Sequence, residues 1–197
     1  MVVPPLFCIV FLVENNFTTK GALPSHLTSY TRNHHNSGFS LQPQLYTNVS
    51  LAYSNTTYLG DSLRNAANNS IGFDQYLFFM ENKAYGFLSY RYSDEDTKGS
   101  EFDYNSNLIS AGISIPGPDG VKFQFSYLYN LLEYKNDTAS IGTKRRDEKH
   151  SFGFTFTHPI SEFLSLDFNY QKNLNNSNLG SVDSKQNLLT FKLVLSY

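Results

Sequence analysis

Hydrophobic and polar residues alternate with a period of two through most of the 197 residues. That period places successive side chains on opposite faces of a strand. In the last stretch, "NLLTFKLVLSY", Leu189, Phe191, Leu193, Leu195 and Tyr197 share one face, while Thr190, Lys192 and Ser196 mostly share the other. Upstream, Leu164, Leu166, Phe168 and Tyr170 alternate with Ser165, Asp167, Asn169 and Gln171. Phe152, Phe154 and Phe156 alternate with Ser151, Gly153, Thr155 and Thr157, and Val121, Phe123, Phe125, Tyr127 and Tyr129 with Lys122, Gln124 and Ser126. The same pattern, less clean, covers 105–115, 84–93, 68–79, 48–58 and 38–45, which makes nine strand candidates.

Alternation alone does not separate a soluble barrel, apolar inside, from a membrane barrel, apolar outside. The polar positions decide. They are largely Ser, Gly, Thr, Asn and Gln, where a soluble sheet would show water Lys, Glu and Arg. Small uncharged residues suit a crowded, wet lumen, and the bulky aromatic face suits lipid. Several stretches run to about 10–12 residues, near the span of a tilted membrane strand.

Short links fall at 46–48, 80–83, 116–120 and 158–162, and longer polar ones at 59–67, 94–104, 135–147 and 174–184. This order predicts periplasmic turns alternating with extracellular loops. The last strand then runs inward and brings Tyr197 to the periplasmic edge. Tyr53, Tyr58, Tyr92, Tyr104, Tyr134 and Tyr170, near strand ends, are candidates for the interfacial girdles.

Closing a barrel in lipid requires its first and last strands to pair, because an open edge leaves backbone groups unsatisfied. Bacterial barrels favour even strand numbers, so the expectation is about ten strands. Residues 5–13 offer a tenth, with 24–37 as its loop; the alternative is a strand upstream of Met1. Domain organisation is therefore read as an N-terminal segment, 1–37, holding at most one strand and a long loop, and an outer-membrane barrel, 38–197. The opening "MVVPPLFCIVFLV" has no basic leader or small-residue cleavage site, which favours a strand or an internal start over a signal peptide.

Composition agrees. Aromatic residues make up 16% of the chain, with 17 Phe, 14 Tyr and no Trp, a profile of strands rather than helical bundles. A net charge of -2 offers no basic field for nucleic acid. The single cysteine, Cys8, excludes an internal disulfide. No window approaches the roughly 18–20 apolar residues of a membrane-spanning helix.

Three segments carry a family resemblance: "GSEFDYNSNLISAGISIPGPDGVKFQFSY" (99–127), "RRDEKHSFGFTFTHPISEFLSLDFNYQKNLNNSN" (145–178) and the terminal "NLLTFKLVLSY". With their acidic-aromatic loop exit, AGxSxP turn, Arg-Arg-Asp strand start and Asn-Ser-Asn loop, they resemble the carboxy-terminal β-barrel of tetratricopeptide-bearing outer-membrane proteins. That group includes the surface lipoprotein assembly modifiers. The resemblance implies a barrel preceded by helical repeats, and a last strand (Phe191, Leu193, Leu195, Tyr197) that looks like the signal read by the barrel assembly machinery. Tyr197 stands where a terminal Phe is commoner.

Candidate chemistry is sparse. Arg91, Lys122, Asp167 and Lys192 fall on the lumen-facing parity and would either set the field of a pore or plug a narrow one. Arg145 and Arg146 are candidates for contact with lipopolysaccharide phosphates. The acidic run Asp94, Glu95, Asp96, with Glu101 and Asp103, has oxygen ligands suited to calcium but no EF-hand spacing. Ser25 with His26, and the pair His34 and His35, make neither a triad nor a metal site.

The sequence thus predicts an all-β, antiparallel, up-and-down transmembrane barrel in a bacterial outer membrane. It would act as a membrane anchor or a translocation or porin-like component, with no catalytic residue and no cofactor. Expected partners are outer-membrane lipid, the barrel assembly machinery and an upstream helical-repeat region, and not nucleic acid. The alternatives are a soluble lipocalin-like binding barrel and an outer-membrane barrel enzyme.

Overall fold

The computed structural model describes the backbone of residues 7–13, 28–42 and 45–195, and the side chains of 45–195. Ten strands follow one another: β1 (Phe7–Val13), β2 (Thr28–Gln42), β3 (Leu45–Tyr58), β4 (Ala66–Phe79), β5 (Ala84–Thr97), β6 (Tyr104–Pro116), β7 (Lys122–Thr138), β8 (Thr143–Pro159), β9 (Leu164–Ser177) and β10 (Ser184–Leu195). All neighbours are antiparallel, and the order β1-β10-β9-β8-β7-β6-β5-β4-β3-β2 is that of an up-and-down meander. The first strand pairs with the last, from Phe7 opposite Leu195 to Val13 opposite Leu189. Among the described residues no ladder joins β1 to β2, so these two are the edges of the sheet. The boundary expected at 37/38 falls inside β2.

The wall is one layer thick and has no conventional core. Among the described apolar residues only Ala84, Val121 and Leu132 are buried, whereas twenty-one large ones are exposed. Such a surface is far larger than the apolar patches monomeric soluble proteins tolerate.

Strands are longer and loops shorter than the sequence suggests. The expected long loop 135–147 is mostly strand: β7 and β8 run on to Thr138 and Thr143, and only 139–142 turn the chain. A bulge lies where Glu133 opposite Arg146 gives way to Asp137 opposite Lys144. Polar residues had suggested loop, but here they belong to a hairpin continuing past the apolar surface.

Three other connections at this end share one closing device. Each holds a single 3-10 turn, Ser62–Arg64, Ser100–Phe102 or Gly180–Val182. The residue just after the turn then accepts a backbone N–H from the end of the preceding strand. Asn65 takes Tyr58 at 2.8 Å, Asp103 takes Thr97 at 2.6 Å, and Asp183 takes Ser177 at 2.6 Å. A side-chain oxygen of Asn or Asp thus does the work of a missing ladder partner.

At the opposite end the turns are 80–83, 117–121 and 160–163. In the first, Met80, Glu81 and Asn82 all have positive φ, at 51°, 57° and 65°. Three consecutive left-handed residues without a glycine are costly for L-amino acids.

Candidate functional site

The site is the wall itself, because its two faces differ in chemistry. Pairing registers carry outward parity from strand to strand. Phe123, Phe156, Phe168 and Phe191 stand on one rung of β7 to β10. Their rings interlock, 5.5 Å between Phe123 and Phe156 and 5.1 Å between Phe168 and Phe191, with Phe125 and Phe154 at 5.0 Å one rung on. Leu51, Ile71, Phe73, Leu88, Ile109, Ile113 and Leu193 extend this face, each exposed.

The upper limit of the face is marked by four tyrosines. Tyr53 donates its phenol hydrogen to Asn55 (2.9 Å), Tyr90 to Asn107 (2.8 Å) and Tyr170 to Asn187 (2.9 Å), while Tyr127 pairs with His150 Nδ1 (2.9 Å). In every case the partner is the next outward residue toward the 3-10 loops, on the same or the following strand. A ring in apolar surroundings with its hydroxyl reaching one way is how tyrosine sits at a membrane–water boundary.

This level slopes across the rungs. Tyr53 shares a rung with Asn69, Asp94, Asn105, Glu133 and Arg146, and the backbone bond of Asn178 to Arg146 carries it to β9. Tyr170 lies eight residues below Asn178, six strands from β3. At about 3.3 Å per residue and about 4.8 Å per strand, a level line of that slope means strands tilted by roughly 40°. Closed membrane barrels tilt by about 35–45°.

The other face is polar and built from small residues. Ser50, Gly72 and Arg91 share a rung, and a Cβ on Gly72 would lie 2.5 Å from Ser50 Oγ and 3.3 Å from Arg91 Nε. On another rung Lys122, Thr157, Asp167 and Lys192 follow one another across β7 to β10. Thr155, Asp167, Asn169, Thr190 and Lys192 line a cavity of about 230 Å3, into which Asn169 bonds Thr155 at 2.8 Å. All four charges expected on the lumen parity, Arg91, Lys122, Asp167 and Lys192, are on this face, three of them on one rung.

Toward the loops the polar face is locked. Asp147, with no exposed surface, accepts hydrogen bonds from Arg145 Nε (2.9 Å) and Ser177 Oγ (2.6 Å), and the Arg145 guanidinium lies 4.5 Å from the centre of the Tyr134 ring. Tyr104 donates to Glu95 at 2.9 Å, and Asn68 donates to the same oxygen at 3.1 Å. Toward the turns the same face carries rings: Tyr46, Tyr76, Phe78, Tyr85 and Phe87, with neighbouring centroids 5.9–6.4 Å apart.

The comparisons with known proteins bear on this geometry. A model of the family described as surface lipoprotein assembly modifier matches residues 13–194, nearly the whole chain. The chain belongs to that family. No curated protein matches. Among solved structures, the outer-membrane expressed OmpT of Vibrio cholerae is similar, with a TM-score of 0.65 at 12% identity, covering 85% of this chain and 56% of that one. The chain therefore has the fold of an outer-membrane β-barrel and spans little more than half the length of that relative.

Several candidate positions of this surface lipoprotein assembly modifier chain fall elsewhere than their sequence neighbourhood suggests. Arg145 does not face lipid: it points to the polar face and is held by Asp147. Arg146 is on the outward side and pairs with Glu148 at 3.0 Å. Counting back in twos from Phe152 separates the two arginines, a signal present in the sequence. Tyr58, Tyr104 and Tyr134 have polar-face parity, so they are not part of the outer tyrosine level; Tyr90 and Tyr127 are. Phe191, Leu193 and Leu195 are exposed on the outward face, whereas Tyr197 lies outside the described residues.

Asp94 and Asp96 both bind Lys135, at 2.9 and 2.7 Å, and Asp103 is a loop closer. Among the described residues no group of three or more His, Cys, Asp or Glu is placed to hold a metal ion. His34 and His35 fall in β2, described by its backbone alone, and Ser25 and His26 outside the described residues. The polar-face rings were missed because in "YLFF" both parities are apolar. Their partner Gly112 is the available hint: a Cβ there would lie 2.5 Å from the Phe87 ring.

Proposed function

We propose that the chain is the membrane-spanning wall of a surface lipoprotein assembly system in a bacterial outer membrane, serving as its anchor and translocation component. The observation that carries this reading is the tyrosine level. It bounds a continuous apolar face, opposes a polar one, and slopes as a tilted barrel requires. A soluble lipocalin-like barrel would need the opposite arrangement, with its large apolar residues turned inward.

The polar face favours passage of a polar chain over storage of an apolar ligand. Small side chains such as Ser50, Gly72, Ser126 and Gly153 keep that face low, and the charges on it are of both signs. The family description adds the cargo class, a lipoprotein destined for the surface. Expected partners are the lipid bilayer, the barrel assembly machinery, for which the β10 face of Phe191, Leu193 and Leu195 is the recognition strand, and a helical-repeat region in the periplasm.

The test is export. Intact cells making an epitope-tagged surface lipoprotein would be treated with protease in the presence and absence of this chain. Surface exposure that requires the chain supports the reading. Exposure unchanged by its loss, with ion conductance in planar bilayers, would favour the porin-like alternative.

A further inference from the structure

Just above the tyrosine level the outward positions differ around the wall. On β3, β4 and β6 they are Asn55, Asn69, Asn107 and Asn105, and on β5 Asp94 and Asp96, already bound by Lys135. On β8 Arg146 is neutralised by Glu148. On β7 the exposed Glu133 stands opposite Arg146, and on β9 and β10 come Lys172, Asn187 and then Lys185, both lysines exposed.

Lys172 shares a rung with Tyr127, Phe152 and Asn187, and Lys185 shares the next with Tyr129, His150 and Leu174. The two lysines are thus diagonal neighbours, at about 7–8 Å, close enough for both ammonium groups to reach one anion. Among the described residues neither has an acidic partner. Of the nearest described acids, Glu148 is paired with Arg146, and Asp183, which keeps its charge, turns one oxygen to the Ser177 N–H rather than to either lysine. By register Lys172 stands beside Phe152 and Lys185 beside Leu174, and long lysine stems rooted next to apolar surface carry their charges toward the depth of lipid headgroups.

We propose that Lys172 and Lys185 form a docking site for the phosphate-bearing headgroup of a membrane lipid, on the β9–β10 side of the barrel. The site rests on the membrane reading above, and it lies on the two strands that follow β8, which carries the arginine pair that sequence alone suggests. Its position beside β10 would place a bound lipid against the strand that pairs with β1.

The experiment is native mass spectrometry of the whole chain in detergent, titrated with lipid A, after an unheated gel has verified the folded barrel by its heat-dependent mobility shift. The wild-type chain retains lipid A, and the double variant K172Q/K185Q binds it roughly thirtyfold more weakly, about fivefold to sixfold per lysine. K149Q, which removes an equal charge from the polar face, leaves binding unchanged. Equal retention by the double variant, or full displacement by inorganic phosphate, overturns the site while leaving the membrane reading intact. Absence of the mobility shift overturns both.

Discussion

The phenol of Tyr170 donates to the side-chain oxygen of Asn187, 2.9 Å away on the neighbouring strand and one outward position nearer the loops. The ring stays beside Phe154 and Leu189 in the apolar band while its hydroxyl meets a polar rung. The same relationship recurs between Tyr90 and Asn107, four strands away on the same face. Together these pairs fix where apolar surface ends. Tyr170→Phe keeps the ring and removes the bond; because that bond is exposed, the change should cost only about 0.5–1 kcal/mol, read as a small fall in the urea midpoint of refolded protein in bilayers.

A larger loss is expected at Asp147. It is fully buried and accepts from Arg145 and Ser177, so Asp147→Ala leaves a guanidinium without its counter-charge. Breaking a buried pair by removing one partner costs about 3–5 kcal/mol. Arg145 retains 18% side-chain exposure, which places the expected loss near the lower end, about 3 kcal/mol. The double variant R145M/D147L should recover most of it, because the apolar pair leaves no charge behind. Denaturant unfolding of the three proteins checks both statements.

Loop closure can be read by proteolysis. Asp103 Oδ1 accepts from the Thr97 backbone N–H at 2.6 Å and from the Thr97 hydroxyl at 2.8 Å. Asp103→Ala removes both and opens the 98–103 connection, so trypsin should cleave after Lys98 in the variant well before it does so in the parent. Asp103→Asn keeps an acceptor oxygen and should remain resistant.

At the other end of the barrel the 80–83 turn stores strain. Glu81 has a φ of 57° between two residues of the same hand. Its side chain makes only an exposed ion pair with Lys83 at 3.4 Å, a contact worth little. Glu81→Gly should therefore stabilise by about 0.5–1 kcal/mol, seen as a higher temperature for the heat-dependent gel shift.

Strand parity was legible in the sequence wherever one face was uniformly apolar, as along Phe123 to Tyr129 or Leu189 to Leu195. From parity came the fold class, the polar face and the four charges on it. What could not be read was register, which is a relation between strands. Without it Tyr127 could not be matched to His150, or Tyr170 to Asn187, and Lys172 and Lys185 look unrelated at thirteen positions apart. Strand ends were misjudged for a different reason. Past the lipid band both faces meet water, so Asp94 to Thr97 and Asp137 to Thr138 look like loop although they remain in the ladder.

The most direct test of the central claim is an accessibility scan along β7. With Cys8 replaced by serine, single cysteines would be placed at each position from Phe123 to Tyr129 in protein refolded into bilayers, then treated with a charged, water-soluble maleimide. The account predicts labelling with a period of two below the tyrosine level: Gln124, Ser126 and Leu128 react from the aqueous polar face, Phe123, Phe125 and Tyr127 are protected by lipid, and Tyr129, one outward position above that level, reacts again. Labelling with the opposite phase, or with no period at all, would contradict it.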